Sequence, residues 1–167
     1  MTRMAIFYGS SGGATRSIAQ QLATALGIAD QCYDIGAVDP AMIANYDRII
    51  LGTSTWGLGD IQDDWAANLI RLSGLDLSGA TVALFGLGDA CNYPDTFVDG
   101  LDDLYKAVTQ AGATVVGAVP AEGYLCDDSR ALRDGVFIGL PIDEDSQSEM
   151  TDERLAAWIG QLREQMA

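Results

Sequence analysis

The sequence predicts an α/β fold in which a doubly wound parallel sheet of five strands lies between two layers of helices, a three-layer αβα arrangement. Short apolar runs alternate with helical patterns along the whole chain, as in consecutive βαβ units. The runs are almost continuously apolar, which is typical of parallel strands buried on both faces. Three of them end in loops of small residues, at 8–15, 52–60 and 86–95. In such a sheet these loops meet at one edge, where ligands bind.

The first half of the chain predicts, in order, strand 3–8, helix 14–27, strand 31–35, strand 47–55 and helix 61–72. Apolar residues recur at helical spacing from Ile18 to Leu26, and Gly27 stops this first helix. The second helix places Trp65, Leu69 and Leu72 on one face. The run at 31–35 is a weak strand.

The second half predicts, in order, strand 80–89, helix 96–112, strand 113–119 and helix 151–166. Gly100 lies inside the first of these helices at a mild cost. Thr151 is predicted to cap the last helix, because two acidic residues follow it in the first turn.

The connection at 120–150 is long for a compact domain, and it contains a strand-like piece at 135–142. We interpret it as an insertion, at about residues 119–140, that splits the last strand. It is either an element that faces a partner or a structural apron. The chain of 167 residues is otherwise expected to form one domain, residues 1–167.

Composition excludes several classes of function. With 9 basic and 24 acidic residues the net charge is −15, which argues against nucleic acid and favours basic protein partners; the alternative is that the acids only solvate the surface. The absence of histidine excludes Ser-His-Asp and Cys-His nucleophiles and disfavours transition metals, so no metal site and no catalytic residue are expected.

Location follows from similar arguments. No apolar run reaches the roughly 18 residues of a membrane span, and the chain begins directly with its first strand. Cys32, Cys91 and Cys126 show no disulfide or zinc spacing. A reduced cytoplasm is therefore the expected compartment, and no membrane partner is expected.

The loop between the first strand and the first helix has the composition of a phosphate site. Ser10, Ser11 and Thr15 offer hydroxyl donors, while Gly12 and Gly13 permit a close approach. Backbone N–H groups at a helix start bind a phosphate without any cation. The loop matches neither the nucleoside-triphosphate loop nor the dinucleotide fingerprint. The alternative is an ordinary Gly/Ser turn.

The other two loops each carry an aromatic residue, Trp56 and Tyr93. Taken singly, Trp56 could pack into the core and Tyr93 could be a surface residue. Together with the phosphate loop they suit a flat heteroaromatic ring with a phosphate tail. Backbone groups at 57–60 and 87–92 would contact the polar edge of that ring.

These stretches resemble the long-chain flavodoxins, which bind FMN. FYGSSGGAT resembles the phosphate loop of that family, ILGTSTWGLGDIQDDW the loop with the inner aromatic residue, and VALFGLGDACNYPDTFVDGL the loop with the outer tyrosine. The segment from Arg133 to Leu162 resembles the C-terminal part of the family. The resemblance covers nearly the whole chain and implies the strand order 2-1-3-4-5 with FMN at the switch point.

The resemblance also implies a set of FMN-binding residues: Ser10, Ser11, Gly12, Gly13, Ala14, Thr15, Ser54, Thr55, Trp56, Gly57, Leu58, Gly59, Leu87, Gly88, Asp89, Cys91, Tyr93 and Asp145. Gly12 stands where the family usually has a hydroxyl residue, and Ala14 stands where lysine is common. Cys91 matches a position beside the ring and either packs there or tunes it.

The function implied is that of a low-potential one-electron carrier that binds FMN non-covalently and cycles through semiquinone and hydroquinone states, without substrate turnover. Acids outnumber bases between residues 55 and 105, where Arg71 is the one base, and they oppose the negative charge of reduction. We hypothesise that the turn at Gly57 flips on reduction, since glycine tolerates positive φ.

The implied partners are basic faces of redox proteins, such as ferredoxin/flavodoxin–NADP reductase, nitrogenase reductase or 2-oxoacid oxidoreductases, with the carrier as a monomer. The main alternative is an FMN-dependent NAD(P)H or quinone reductase on the same fold. A phosphoacceptor regulatory domain would need acids after strand 1, where this chain has YGSSGG. A non-redox binding module remains a further alternative.

Overall fold

The computed structural model describes residues 3–167. The strands are β1 (Met4–Tyr8), β2 (Cys32–Asp34), β3 (Arg48–Trp56), β4 (Asp60–Ile61), β5 (Thr81–Leu87), β6 (Thr114–Val116), β7 (Val119–Pro120), β8 (Leu132–Arg133), β9 (Val136–Phe137) and β10 (Leu140–Ile142). The helices are α1 (Ala14–Ala25), α2 (Asp63–Ala66), α3 (Leu69–Ser73), α4 (Gly100–Gln110) and α5 (Thr151–Gln165).

The main sheet is parallel, in the order β2-β1-β3-β5, and the short β4 pairs antiparallel with the end of β3. The free edge of β5 carries two further strands placed end to end. β6 pairs with residues 81–83, and β10 pairs with residues 85–87. The predicted order 2-1-3-4-5 is confirmed, and so is the split last strand.

The chain between β6 and β10 forms a small antiparallel sheet of its own, in the order β7-β9-β8. The strand-like piece predicted at 135–142 is therefore two strands that belong to different sheets. The strand predicted at 113–119 is shorter because Gly117 has φ +86°. The Gly117 carbonyl accepts a hydrogen bond from Trp158 Nε1 at 2.9 Å, which takes the chain away from β5.

Three details of the helices differ from the sequence prediction. The helix predicted at 61–72 is two short ones, because Asn68 leaves the helical path at φ −117° and ψ 3°. The helix predicted from residue 96 begins at Gly100, since Val98 has φ +49°. Thr151 does not cap α5: a 3-10 turn at 148–150 runs directly into the helix, and the Thr151 hydroxyl is buried without a partner among residues 3–167.

Two apolar clusters cover the two faces of the sheet and confirm the three-layer architecture. Alternate residues of β1 serve opposite clusters: Phe7 packs in the cluster with Trp65, and Ile6 packs in the cluster with Ile18 and Trp158. This alternation explains the unbroken apolar runs, because each residue of a central strand is buried on one side or the other. Within residues 3–167, no helix is both long enough and apolar enough to cross a membrane.

Candidate functional site

A cavity of about 310 Å³ lies where β1, β3 and β5 end, at the carboxyl edge of the sheet. Its walls come from the three small-residue loops and from two further segments. The lining residues are Ser10, Ser11, Gly12, Ala14, Thr15, Ser54, Thr55, Trp56, Gly57, Leu87, Gly88, Asp89, Tyr93, Thr96, Phe97, Val98, Glu144 and Asp145.

The first wall is the loop that leads from β1 into α1. Gly9 donates its N–H to the Gly52 carbonyl at 3.0 Å, and Gly13, at φ +93°, donates to Ser10 Oγ at 3.0 Å. The first helical bond runs from Ser17 N–H to the Gly13 carbonyl. The amides that precede it at the start of α1 are thus open donors, and the helix dipole favours an anion there.

The second and third walls carry the two aromatic residues. Trp56 ends β3 and is 50 % exposed, while Tyr93 is 45 % exposed. Both line the cavity, so neither is a core residue. After Trp56 the chain turns back into β4 through Gly57 and Gly59, which have φ +53° and +100°.

The cavity has a one-sided charge. Among the described residues that line it, none is basic, and Asp89, Glu144 and Asp145 are acidic. Burial raises the pKa of Asp145, and the nearby carboxylates of Asp89, Asp143 and Glu144 raise it further. An anion that binds here must therefore be held by backbone and hydroxyl donors.

Asp89 behaves in the opposite way. Desolvation raises its pKa, but hydrogen bonds from the side chain and amide of Asn92 and from Ser146 outweigh burial, and the pKa lies below its ordinary value. Ser146 Oγ donates to Asp89 Oδ1 at 2.9 Å and so connects the loop after β5 to the segment after β10.

Ser54 is a lining residue whose polar group is unsatisfied in the described part of the chain. Its side chain is buried in the lining, and its hydroxyl has no hydrogen-bond partner within residues 3–167. Its neighbour Thr55 is satisfied, since Oγ1 accepts from the Gly100 N–H at 2.9 Å. A buried hydroxyl without a partner costs about 1–3 kcal/mol, and a polar ligand group would remove that cost.

Most of the sequence-predicted residues meet in this cavity. Those that do not line it are Gly13, Leu58, Gly59 and Cys91. Gly13 and Gly59 instead shape the turns, and Leu58 is 86 % exposed.

The lining residues that the sequence analysis missed are Thr96, Phe97, Val98 and Glu144. The first three fall in the helix predicted at 96–112, and the turn residues directly before them, Pro94 and Asp95, are compatible with a helix that starts at 96. Glu144 is adjacent to the predicted Asp145, and no sequence pattern distinguishes it.

The sequence profile of the family described as Flavodoxin matches residues 6–158. The chain is 43 % identical over 171 residues to Flavodoxin 1 of Azotobacter vinelandii, covering 99 % of this chain and 98 % of the relative. It is 40 % identical over 165 residues to a flavodoxin of Picosynechococcus sp., covering 98 % and 97 %. The crystal structure of Fusobacterium nucleatum flavodoxin bound to flavin mononucleotide superposes with a TM-score of 0.92 at 29 % identity, covering 99 % of each chain.

Proposed function

The chain belongs to the flavodoxin family, and on that premise we propose that it binds FMN non-covalently in this cavity and carries single electrons between redox enzymes. It is an electron carrier and does not turn over a substrate of its own. The observation that carries the assignment of the cavity is the meeting of an open helix start, two half-exposed aromatic side chains and a partnerless buried hydroxyl in one space.

The residues present fit FMN. Its phosphate needs many donors, and the loop from Ser10 to Thr15 offers backbone amides with two or more hydroxyls. Its ring needs flat apolar contacts, which Trp56 and Tyr93 would supply. Ser54 Oγ needs a polar partner, which the cofactor would provide.

When bound, FMN supplies the one-electron redox chemistry, and the chain sets the conditions for it. The loop at 10–15 would hold the phosphate by backbone dipoles, which bind an anion without adding a positive charge. The carboxylates of Asp89, Glu144 and Asp145 oppose any gain of negative charge in the cavity. A low reduction potential is the expected consequence.

The partners we propose are basic faces of redox proteins, such as ferredoxin/flavodoxin–NADP reductase, nitrogenase reductase or 2-oxoacid oxidoreductases. Trp56 and Tyr93 line the cavity and are partly exposed, Leu58 between them in sequence is exposed as well, and these side chains offer apolar contacts to a partner. The net charge of −15 would attract a basic surface. We propose that the carrier works as a monomer in the cytoplasm.

The visible spectrum of the purified protein during stepwise anaerobic reduction tests this function. We expect flavin absorption bands and two separate one-electron steps in the titration. Bands that bleach in one two-electron step would contradict a carrier function. A chain without flavin, even after FMN is added, would overturn the assignment of the cavity.

An FMN-dependent NAD(P)H or quinone reductase is not favoured by family membership. Such an enzyme needs open space over the ring for its substrate, and Tyr93, which lines the cavity, would cover one face of the ring. We therefore expect no oxidation of NADH or NADPH by the FMN-loaded chain alone, measured by the loss of nicotinamide absorbance under anaerobic conditions with a quinone acceptor.

A further inference from the structure

One segment of the insertion contacts both loops that carry the aromatic residues of the cavity. We call residues 126–133 the strap. On the Tyr93 side, the amides of Asp127 and Asp128 both donate to the Pro94 carbonyl, at 2.8 and 3.0 Å. Ser129 is buried, and its hydroxyl donates to the Phe97 carbonyl. The strap thus fixes the backbone on either side of Thr96, which lines the cavity.

On the Trp56 side, the hydrogen bond between the strap and the turn comes from Arg130. Its Nη2 donates to the Gly59 carbonyl at 3.1 Å, and its Nε lies 3.3 Å from Asp99 Oδ2. Its backbone N–H donates to the other oxygen of the same carboxylate, Asp99 Oδ1, at 2.8 Å. One arginine therefore bridges the turn after β3 and the segment that starts α4.

Asp99 anchors Arg130 on the α4 side of this bridge. It is only 4 % exposed, and both of its oxygens are engaged by Arg130. Gly59 lies directly against it, because a Cβ added at Gly59 would come within 2.7 Å of Asp99 Oδ2. The turn at Gly57–Gly59 thus packs against the buried Asp99 carboxylate, and the hydrogen bond from Arg130 to the Gly59 carbonyl holds it there.

We propose that Arg130 is a positioning residue, which sets the turn between Trp56 and Asp60 at the mouth of the cavity through the Gly59 carbonyl and Asp99. Trp56 and Gly57 line the cavity, whereas Arg130 does not. Any effect of Arg130 on bound FMN rests on the proposed function. The role of Arg130 in holding the turn does not depend on that function. The insertion then supports the mouth of the cavity through Arg130.

A matched variant separates this bridge from the charge of the strap. Arg133 lies three residues further along, binds Asp102 and stacks over the Tyr105 ring at 4.5 Å. Arg130→Met and Arg133→Met each remove one positive charge from the strap and keep an apolar stem. Within residues 3–167, Arg133 pairs with Asp102 alone, whereas Arg130 pairs with Asp99 and lies 3.9 Å from Asp102 and 3.7 Å from Asp103. Only the first removes a bond to the turn.

The first readout is amide hydrogen exchange at residues 56–61, measured on the chain as purified and again after addition of FMN. Loss of a hydrogen bond to a charged group makes local opening of the backbone about tenfold more favourable. We expect exchange at 56–61 to be about tenfold faster in Arg130→Met and unchanged in Arg133→Met. Equal exchange in the two variants would overturn the proposal, whether or not FMN binds.

The second readout is the gap between the two one-electron midpoint potentials of the FMN-loaded chain. We expect the gap to change in Arg130→Met and to stay at its wild-type value in Arg133→Met. Arg130→Lys keeps the charge beside Asp99 but lacks the planar fork that reaches two acceptors at once, so it should follow Arg130→Met in both readouts. Wild-type values in Arg130→Lys would show that the bond to Gly59 does not hold the turn, and would overturn the proposal.

If Arg130→Met does not fold, the lysine variant alone decides the question, because the charge next to buried Asp99 is retained. A wild-type chain that takes up no FMN would refute the proposed function and leave the exchange result standing. The two failures are therefore distinguishable.

Discussion

Gly12 leaves open space in the loop that leads into α1. A Cβ built there meets no atom within 4 Å, and its φ lies outside the left-handed region, so a side chain fits without strain. Gly12→Ser adds a hydroxyl donor beside the proposed phosphate site. We expect the dissociation constant for FMN to fall about three- to tenfold, from one net hydrogen bond.

Gly12→Ala is the control for that change, because it fills the same space without a donor. Isothermal titration of FMN into both variants and the wild-type chain makes the comparison. If alanine tightened binding as much as serine, the gain would come from a stiffer loop and not from a hydroxyl.

Gly57 differs from Gly12 in why glycine is needed: a side chain would have room there, but the backbone conformation favours glycine. Its φ is +53°, and a Cβ there would meet only Asp60 Oδ2 at 3.9 Å. Gly57→Ala should lower the free energy of unfolding by about 1 kcal/mol and shift both one-electron potentials, because Gly57 lines the cavity. Urea unfolding and a redox titration measure the two effects.

Gly135→Ala separates backbone strain from the local effect on FMN. Gly135 has φ +77° and no neighbour within 4 Å of an added Cβ, and it lies in the turn between β8 and β9. We expect a similar loss of stability with unchanged potentials. Unchanged potentials in Gly57→Ala as well would refute the hypothesis that this turn responds to reduction.

At the scale of elements, the split last strand depends on a close approach of two backbones. Gly139 comes directly before β10, and a Cβ there would lie 2.3 Å from the Leu84 carbonyl oxygen in β5. Gly139→Ala should push β10 away from β5 and lower the free energy of unfolding by about 3 kcal/mol. Gly160→Ala in α5 meets nothing within 4 Å and should raise it by about 0.5–1 kcal/mol. A loss below 1 kcal/mol for Gly139→Ala in urea unfolding would show that β10 adapts.

The elements also show what a sequence can predict. β1, β3 and β5 follow from their apolar runs, because a strand buried on both faces has no other pattern. The loops with Trp56 and Tyr93 then follow from topology, since they end neighbouring parallel strands. Both inferences use only local composition and the order of elements.

What the sequence did not predict depends on contacts between distant segments. Nothing near Val98 signals its φ of +49°, and this residue places 96–98 in the cavity wall instead of a helix. The bond from Arg130 to the Gly59 carbonyl spans 71 positions. Such contacts arise only when the insertion folds back onto the sheet.

At the scale of the whole molecule, the carboxylates make stability depend on pH in two opposite ways. The pKa of Asp145 is raised in the folded chain, so the folded state binds this proton more tightly than the unfolded state. Stability is then lost as pH rises from the ordinary value of 3.8 through the folded-state pKa. Asp145→Asn should stabilise the chain at neutral pH and have no such effect below that window.

Asp89 has the opposite sign, because its folded-state pKa lies below 3.8. Its contribution is present above that value and is lost as pH falls through the folded-state pKa. Asp89→Asn should therefore destabilise the chain at neutral pH. Melting temperatures from about pH 3.5 to about pH 7 compare the two variants, and shifts of the same sign in both would contradict these assignments.

The net charge of −15 should govern how quickly the carrier meets a basic partner, because attraction at a distance raises the rate of encounter and salt screens it. With a basic c-type cytochrome as artificial acceptor, we expect the electron-transfer rate of the reduced chain to fall about tenfold from low salt to about 0.5 M.

Two charge variants test where the partner docks. Glu144 lines the cavity, whereas Asp30 precedes β2 at the opposite edge of the sheet. Glu144→Lys and Asp30→Lys change the net charge equally, so a larger loss of rate at low salt in Glu144→Lys would place docking at the cavity. Equal losses would mean that the net charge attracts the partner without directing it to this edge.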